Sequence, residues 1–312
     1  MISEKKFSCK RISITIFTIF FSFCAISMVT TKLIYDHIFD RYNEPVAIPQ
    51  ALQDTIQQRQ VCQFYSGDIK LTGYYYQAPQ TNQADALVIW VPGFHAGADG
   101  YLWQIQQLRE YGWDVFTFDP TGTFQSEGTS QVGFSQTLLD LEAALKYLRE
   151  EGHSRFILIG HSRGAYAACC ALQRQEDIAA VVSVSGVNSA MEAIMHMSVQ
   201  NIGPISYGNY GFLWLYQTSL FGADILNLNA AQIISDSAVP VLVAHGTEDV
   251  QVPVDSCSII SHRDQIISQH AEYLLLYAGH TDILYDADGT ANDELFYQIH
   301  LFLLRSLEKQ IF

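Results

Sequence analysis

Three short stretches of this chain carry residue types suited to nucleophilic chemistry. The first is Ile157-Leu158-Ile159-Gly160-His161-Ser162-Arg163-Gly164-Ala165, in which a β-rich run meets GxSxG and then a helical pattern. Small residues on either side of a serine permit a tight strand-to-helix turn, which holds the hydroxyl out in a strained conformation. A helix beginning at Arg163 also turns free N–H groups and a positive dipole end toward any developing anion. A serine of this kind needs a base, and the base needs a carboxylate to orient it. The second stretch, from Pro240 to Pro253, ends a strand at His245-Gly246 and continues through Glu248 and Asp249. The third, from Leu274 to Asp282, ends another strand at Ala278-Gly279 and presents His280. Asp249 and Glu248 compete as the acid. His280, His245 and His161 compete as the base, although His161 flanks Ser162 and folds back onto its hydroxyl with difficulty.

These groups need a scaffold that brings strand ends together. Short apolar β-rich runs fall at residues 69–77, 86–91, 114–118, 155–159, 179–184, 239–244 and 272–277. Helical patterns fall between or after them at 100–111, 134–150, 163–174, 255–269 and 292–309. Continuous apolar strands alternating with helices imply an α/β fold, a mostly parallel sheet with helices on both faces. All three candidate stretches then emerge at carboxyl ends of strands, the edge where open α/β sheets build their sites. Residues 187–236 interrupt the alternation and read as a helical cap rich in Met, Tyr, Phe and Trp. Its apolar character suggests an acyl or aromatic pocket, with Met195, Tyr210 and Trp214 as candidate substrate contacts alongside His95.

The motifs resemble those of the α/β-hydrolase superfamily, and within it the serine aminopeptidase and monoacylglycerol-lipase-like hydrolases. The resemblance spans about residues 61–310. It rests on Pro92-Gly93-Phe94, on Asp119-Pro120-Thr121-Gly122-Thr123-Phe124-Gln125-Ser126-Glu127-Gly128, on the Ser162 turn, on His245-Gly246-x-x-Asp249-x-x-Val252-Pro253, and on Gly279-His280-x-Asp282. It implies a Ser162–Asp249–His280 triad, an acyl-enzyme intermediate, and neither metal nor organic cofactor. The Phe94 and Arg163 backbone N–H groups are then the expected oxyanion donors. Three positions depart from the family's pattern. Thr121 stands where Arg is common, Pro92 where His often precedes the oxyanion glycine, and Arg163 where Leu, Met or Gln usually follows the nucleophile. The first two put a loop-stabilising contact in question.

Composition narrows the partners. The 312 residues include 17 Lys+Arg and 32 Asp+Glu, a net charge of −15. That balance argues against nucleic acid, which needs clustered cations to displace counterions. Residues 1–44 are faintly basic, at +2, so the rest carries −17. From Gln175 to His262 there is no Lys or Arg in 88 residues, against eight acidic ones. A polyanionic substrate finds no permanent cation there, and Arg163 is the one nearby candidate. Six irregularly spaced cysteines (9, 24, 62, 169, 170 and 257) form neither a disulfide framework nor a zinc motif.

Lys5, Lys6, Lys10 and Arg11 precede an uncharged run over residues 12–31, about 30 Å as a helix and long enough to cross hydrocarbon. The basic flank puts the N-terminus in the cytoplasm and the body outside. An uncleaved signal anchor and a signal peptide cleaved at Ala25-Ile26-Ser27 both fit. A lipoprotein anchor at Cys24 is disfavoured by the bulky Phe23 before it. Residues 1–31 are thus expected as flank and span, 32–60 as a polar linker or short helical neck, and 61–312 as the catalytic domain. The function these readings favour is a membrane-tethered serine hydrolase acting on a neutral carboxylic ester. An aminopeptidase, with an acidic cap residue such as Glu192 binding an α-amino group, and a catalytically silent binding protein of the same fold are the alternatives. The sequence leaves the oligomeric state open.

Overall fold

A computed structural model describes residues 2–80 and 85–308. The chain begins with a long helix α1 (Ile2–Ile38), then α2 (Gln53–Gln58), β1 (Gln60–Ser66), β2 (Ile69–Tyr76) and β3 (Leu87–Val91). Helix α3 (Leu102–Glu110), β4 (Val115–Phe118), α4 (Gln136–Glu150), β5 (Phe156–His161), α5 (Arg163–Ala171) and β6 (Ile178–Val184) follow. Four helices form the insertion: α6 (Ala190–Ile202), α7 (Tyr210–Phe221), α8 (Ala223–Leu226) and α9 (Ala230–Asp236). The chain then returns through β7 (Val241–Gly246) and β8 (Ala271–Leu276) to the closing helix α10 (Asp293–Glu308).

The strands lie in one eight-stranded sheet in the order β1-β2-β4-β3-β5-β6-β7-β8. β2 runs antiparallel to both β1 and β4, and every other pairing is parallel. β3 to β7 are buried along their whole length, which is why they read as unbroken apolar runs rather than alternating ones. Two cores result. Leu87, Ile89, Phe116, Phe118 and Leu158 pack toward α4 and α5 on one face. Val88, Trp90, Ile157, Ile159 and Val182 pack toward α3 and α10 on the other.

The expected mostly parallel α/β fold is therefore present, with local differences. β1 is an edge strand whose outer residues alternate between exposed and buried, too weak an apolar signal to stand out. The helix expected over residues 255–269 is absent, and only a short 3₁₀ turn at Ile260–Gln265 forms. Serines there take backbone groups for themselves. The Ser261 N–H donates to Ser258 Oγ at 3.1 Å, and the Ser261 hydroxyl donates to the Ser258 carbonyl at 2.6 Å.

Residues 32–44 are not a free linker. α1 continues to Ile38, and Tyr35 and Phe39 are buried in the same core as Phe94 and Phe134. Arg41 then donates to the carbonyls of Ser126, Gly128 and Phe124 at 2.7–3.0 Å, clamping the chain onto the loop after β4. That loop is itself pinned from within. Asp119 accepts from the Tyr74 hydroxyl and from the backbone of Ala98 and Gln125. Thr121, where the family pattern has Arg, donates its N–H and its hydroxyl to buried Asp140, each at 2.8 Å. Asp140 thus holds the start of this loop through two bonds from Thr121.

Candidate active site

β5 delivers Ser162 to the carboxyl edge of the sheet, and the turn into α5 fixes it at φ 55, ψ −117. Such a backbone is strained for any residue but glycine. The close packing around it explains both glycines. A Cβ at Gly164 would strike the carbonyls of Val91 and Pro92, and one at Gly160 would strike Gly164 itself. The Ser162 N–H is held by the Val184 carbonyl at 2.8 Å, tying the turn to β6.

His280 follows β8 and Asp249 follows β7, and the two meet: His280 Nδ1 lies 2.7 Å from Asp249 Oδ2. Asp249 is buried, and its other oxygen accepts the Gln251 and Val252 N–H groups at 2.9 and 2.8 Å. Burial alone raises a carboxyl pKa. Here the bonds from His245 and His280 outweigh it and hold Asp249 well below the usual carboxylate range. Glu248, the rival acid, is exposed and contacts its neighbour Thr247. His245, a rival base, is fully buried beneath the acid loop, with Nε2 2.8 Å from the Val252 carbonyl and 3.2 Å from Asp249.

His161, the other rival, has a different place. Tyr101 Oη accepts the Gly93 N–H at 3.0 Å and lies 3.0 Å from His161 Nδ1, while His161 Nε2 lies 3.1 Å from the carbonyl of His280. With one hydroxyl proton to give, Tyr101 donates to Nδ1, so the ring proton sits on Nε2 and is donated to the His280 carbonyl. His161 is thus a neutral brace under the histidine loop. Burial, reinforced by the nearby His280, pushes its pKa down to about 3. Neither Tyr101 nor this role was legible from the motif, because the contacts join loops 60 and 119 residues apart.

Ser162 and His280 line one cavity of about 510 Å³ together with Phe94, His95, Tyr101 and His161. Val187, Ala193, Met197, Gln200 and Asn201 also line it, as do Gln251, Thr281 and Tyr285. Among the described residues lining it there is no Asp, Glu, Lys or Arg. Phe94, in the turn after β3, has a backbone N–H that donates to no protein group among the described residues, and so has Arg163. The flanking amides are engaged: Gly93 with Tyr101, and His95 with Gln131 at 3.4 Å.

His95 adopts φ 55 and is sandwiched between the rings of Tyr42 and Phe94, with centroids 4.6 and 3.8 Å away. Burial, then the Arg163 charge, lowers its pKa. The other three expected substrate contacts require correction. Met195 lies two residues from both Ala193 and Met197, about 200° around α6, and lines a separate cleft against α1. Tyr210 is exposed and Trp214 packs beside the core, neither of them on the cavity. Arg163 does not line it either. Its guanidinium is buried over the Phe94 ring, 5.4 Å from the centroid, and donates to the Gly93 carbonyl at 3.4 Å. Burial lowers its pKa to about 10, which leaves it a cation that braces the Phe94 turn from below. Among the described residues no group of His, Cys, Asp and Glu is arranged to hold a metal ion.

Known proteins share this fold. Residues 82–206 match the model of the family described as serine aminopeptidase, S33. An esterase of Pyrococcus furiosus superposes with a TM-score of 0.64 at 22% identity, covering 85% of this chain and 99% of that one. A proline iminopeptidase of Mycobacterium smegmatis gives 0.56 at 14% identity, covering 80% of this chain and 100% of that one. The acylaminoacyl peptidase of Pyrococcus horikoshii gives 0.57 at 19% identity over 80% of this chain and 41% of its own. No curated protein sequence matches the chain. The fold is that of the α/β hydrolases.

Proposed function

We propose that this chain of α/β-hydrolase fold is a membrane-tethered serine hydrolase that cleaves a neutral carboxylic ester with an apolar acyl or aromatic part. Ser162 is the nucleophile, His280 the general base and then acid, and Asp249 the group that fixes the imidazole tautomer. In the first half-reaction the Ser162 oxygen attacks the ester carbonyl and passes its proton to His280 Nε2. The Phe94 and Arg163 N–H groups receive the negative charge on the carbonyl oxygen, each such donor contributing about 3 kcal/mol to the transition state. The alcohol leaves with the proton from His280. Water, deprotonated in turn by His280, then releases the acid and restores the serine. α1, which from Arg11 to Ile38 is long and apolar enough to cross a membrane, tethers the domain on the extracytoplasmic side.

The observation that carries the ester reading is the charge-free cavity around Ser162 and His280. An α-amino group bound there would meet no carboxylate. Glu192, which an aminopeptidase would use, lies off the cavity, accepts from Asn188 Nδ2 at 3.1–3.2 Å and sits 3.6 Å from His262. The test compares p-nitrophenyl acetate, butyrate and octanoate with aminoacyl p-nitroanilides, using full-length protein in mild detergent. Ester turnover abolished by Ser162→Ala supports the proposal. A higher kcat/KM for the aminoacyl anilides would replace it with the peptidase reading.

A further inference from the structure

The position of the cap along α1 determines more than the tether. Phe212 of α7 meets Phe23 of α1 with ring centroids 6.3 Å apart, and Asn209 Nδ2 donates to Thr31 Oγ1 at 2.6 Å. A cleft of about 260 Å³ between the two is lined by Ile26, Thr30 and Ile34 of α1 and by Ile194, Ile202 and Ile205 of the cap. The cap therefore lies beside the last nine residues of the uncharged run 12–31 and not above it.

The length of that run leaves no room for the cap to stay in water. Arg11 bounds it on one side and Lys32, bonded to Asp36, on the other. Twenty residues at 1.5 Å each give about 30 Å, which a bilayer core uses in full. Raising the membrane boundary enough to free Phe212 would end the span near Ser22. Eleven residues would then remain, about 16 Å, too short to cross. With the boundary near Thr31, Phe23 and the Phe212 ring beside it lie about 12 Å inside.

The cap's chemistry suits that position. From Ala193 to Ala223 there is no Asp, Glu, Lys or Arg, although the chain carries −17 beyond residue 44. Ile202, Ile205, Tyr207, Tyr210 and Leu215 are exposed there, Ile205 by 81%. The first two turns of α7, residues 210–216, carry no charged or amide side chain on any face, as suits a helix surrounded by lipid, and the polar Gln217, Thr218 and Ser219 follow only at its other end. Polar contacts resume just past the run, where the Tyr216 hydroxyl donates to Asp36 at 2.5 Å beside Lys32, an interfacial arrangement of Tyr and Lys.

We propose that residues 205–215 of the cap are bedded in the leaflet on the body's side of the membrane, so that the occupant of this apolar surface is the lipid bilayer itself. α6 then separates lipid from the catalytic cavity, with Ile194 and Ile202 on the cleft and Ala193 and Met197 on the cavity. The ester is accordingly lipid-soluble and presented from the bilayer. The inference rests on α1 being a retained span, and the test separates the two.

Cys9, Cys24 and Cys62 are replaced by Ser in the full chain. Single variants Ile205→Cys, Leu215→Cys, Ile19→Cys and Ile267→Cys then receive an environment-sensitive fluorophore in vesicles of phosphatidylcholine with and without doxyl-labelled lipid. Each is first shown to retain ester turnover. Ile19 lies within the span, and Ile267, 82% exposed, precedes β8 at the far edge of the sheet. Quenching at 205 and 215 comparable with 19 and several-fold stronger than at 267 is the expected result. Quenching at 19 alone overturns the cap proposal and leaves the span standing. Absence of quenching at 19 overturns the span, and this inference with it.

Discussion

His161 offers a test in which direction and size follow from the buried network. Its ring is fully enclosed, donates from Nε2 to the His280 carbonyl and accepts from Tyr101 at Nδ1, and the second bond requires the neutral form. Its pKa of about 3 in the folded chain lies below the 6.5 of a solvated histidine. As pH falls through 6.5 the unfolded chain takes up a proton that the folded chain refuses, so stability present at pH 8 is lost progressively between about pH 7 and pH 3. The loss reaches about 2 kcal/mol at pH 5 and approaches about 5 kcal/mol below pH 3. In His161→Gln the amide N–H can still reach the His280 carbonyl, but nothing titrates. Losing the Tyr101 bond costs that variant about 1 kcal/mol at pH 8. Between pH 8 and pH 5, however, it should lose about 2 kcal/mol less than wild type. Guanidinium unfolding of the full chain in mild detergent, followed by tryptophan fluorescence at both pH values, measures the difference. Equal pH slopes in the two proteins would refute the neutral-brace reasoning.

Two further substitutions probe the loops that carry the site. Asp249→Asn keeps the shape of the acid but fixes the wrong imidazole tautomer, so kcat should fall about 10⁴-fold with little change in fold, while exposed Glu248→Gln leaves kcat near wild type. Steady-state ester kinetics separate the two. Thr121→Val removes a hydroxyl bond to fully buried Asp140 and should destabilise the chain by about 1.5–3 kcal/mol. Thr121→Ser should restore most of this in the same unfolding assay.

What the sequence made legible was local. Ser162, Asp249 and His280 each sit in a turn whose residues are dictated within a few positions, by the glycines that permit the strained serine and by the strand ends that precede the acid and base. The structure brings the last two into contact and sets the first on the same cavity. What stayed hidden depends on distant packing. The register of α6 against the sheet decides that Met197 and not Met195 faces the cavity, and an apolar count over the cap cannot supply that register. The apolar run at the N-terminus gave a candidate span, but not the buried Tyr35 and Phe39 or the Arg41 clamp that fasten it to the body. Serines that bond their own backbone erased a helix whose hydrophobic spacing was otherwise plausible.

The central claim is that Ser162 is an activated nucleophile. Treating the folded full-length protein with a fluorophosphonate and locating the adduct by peptide mass spectrometry tests it directly. One adduct is expected, on Ser162, absent from Ser162→Ala and strongly slowed in Asp249→Asn. Folded wild-type protein that takes up no label, or an adduct on a different serine, would contradict it.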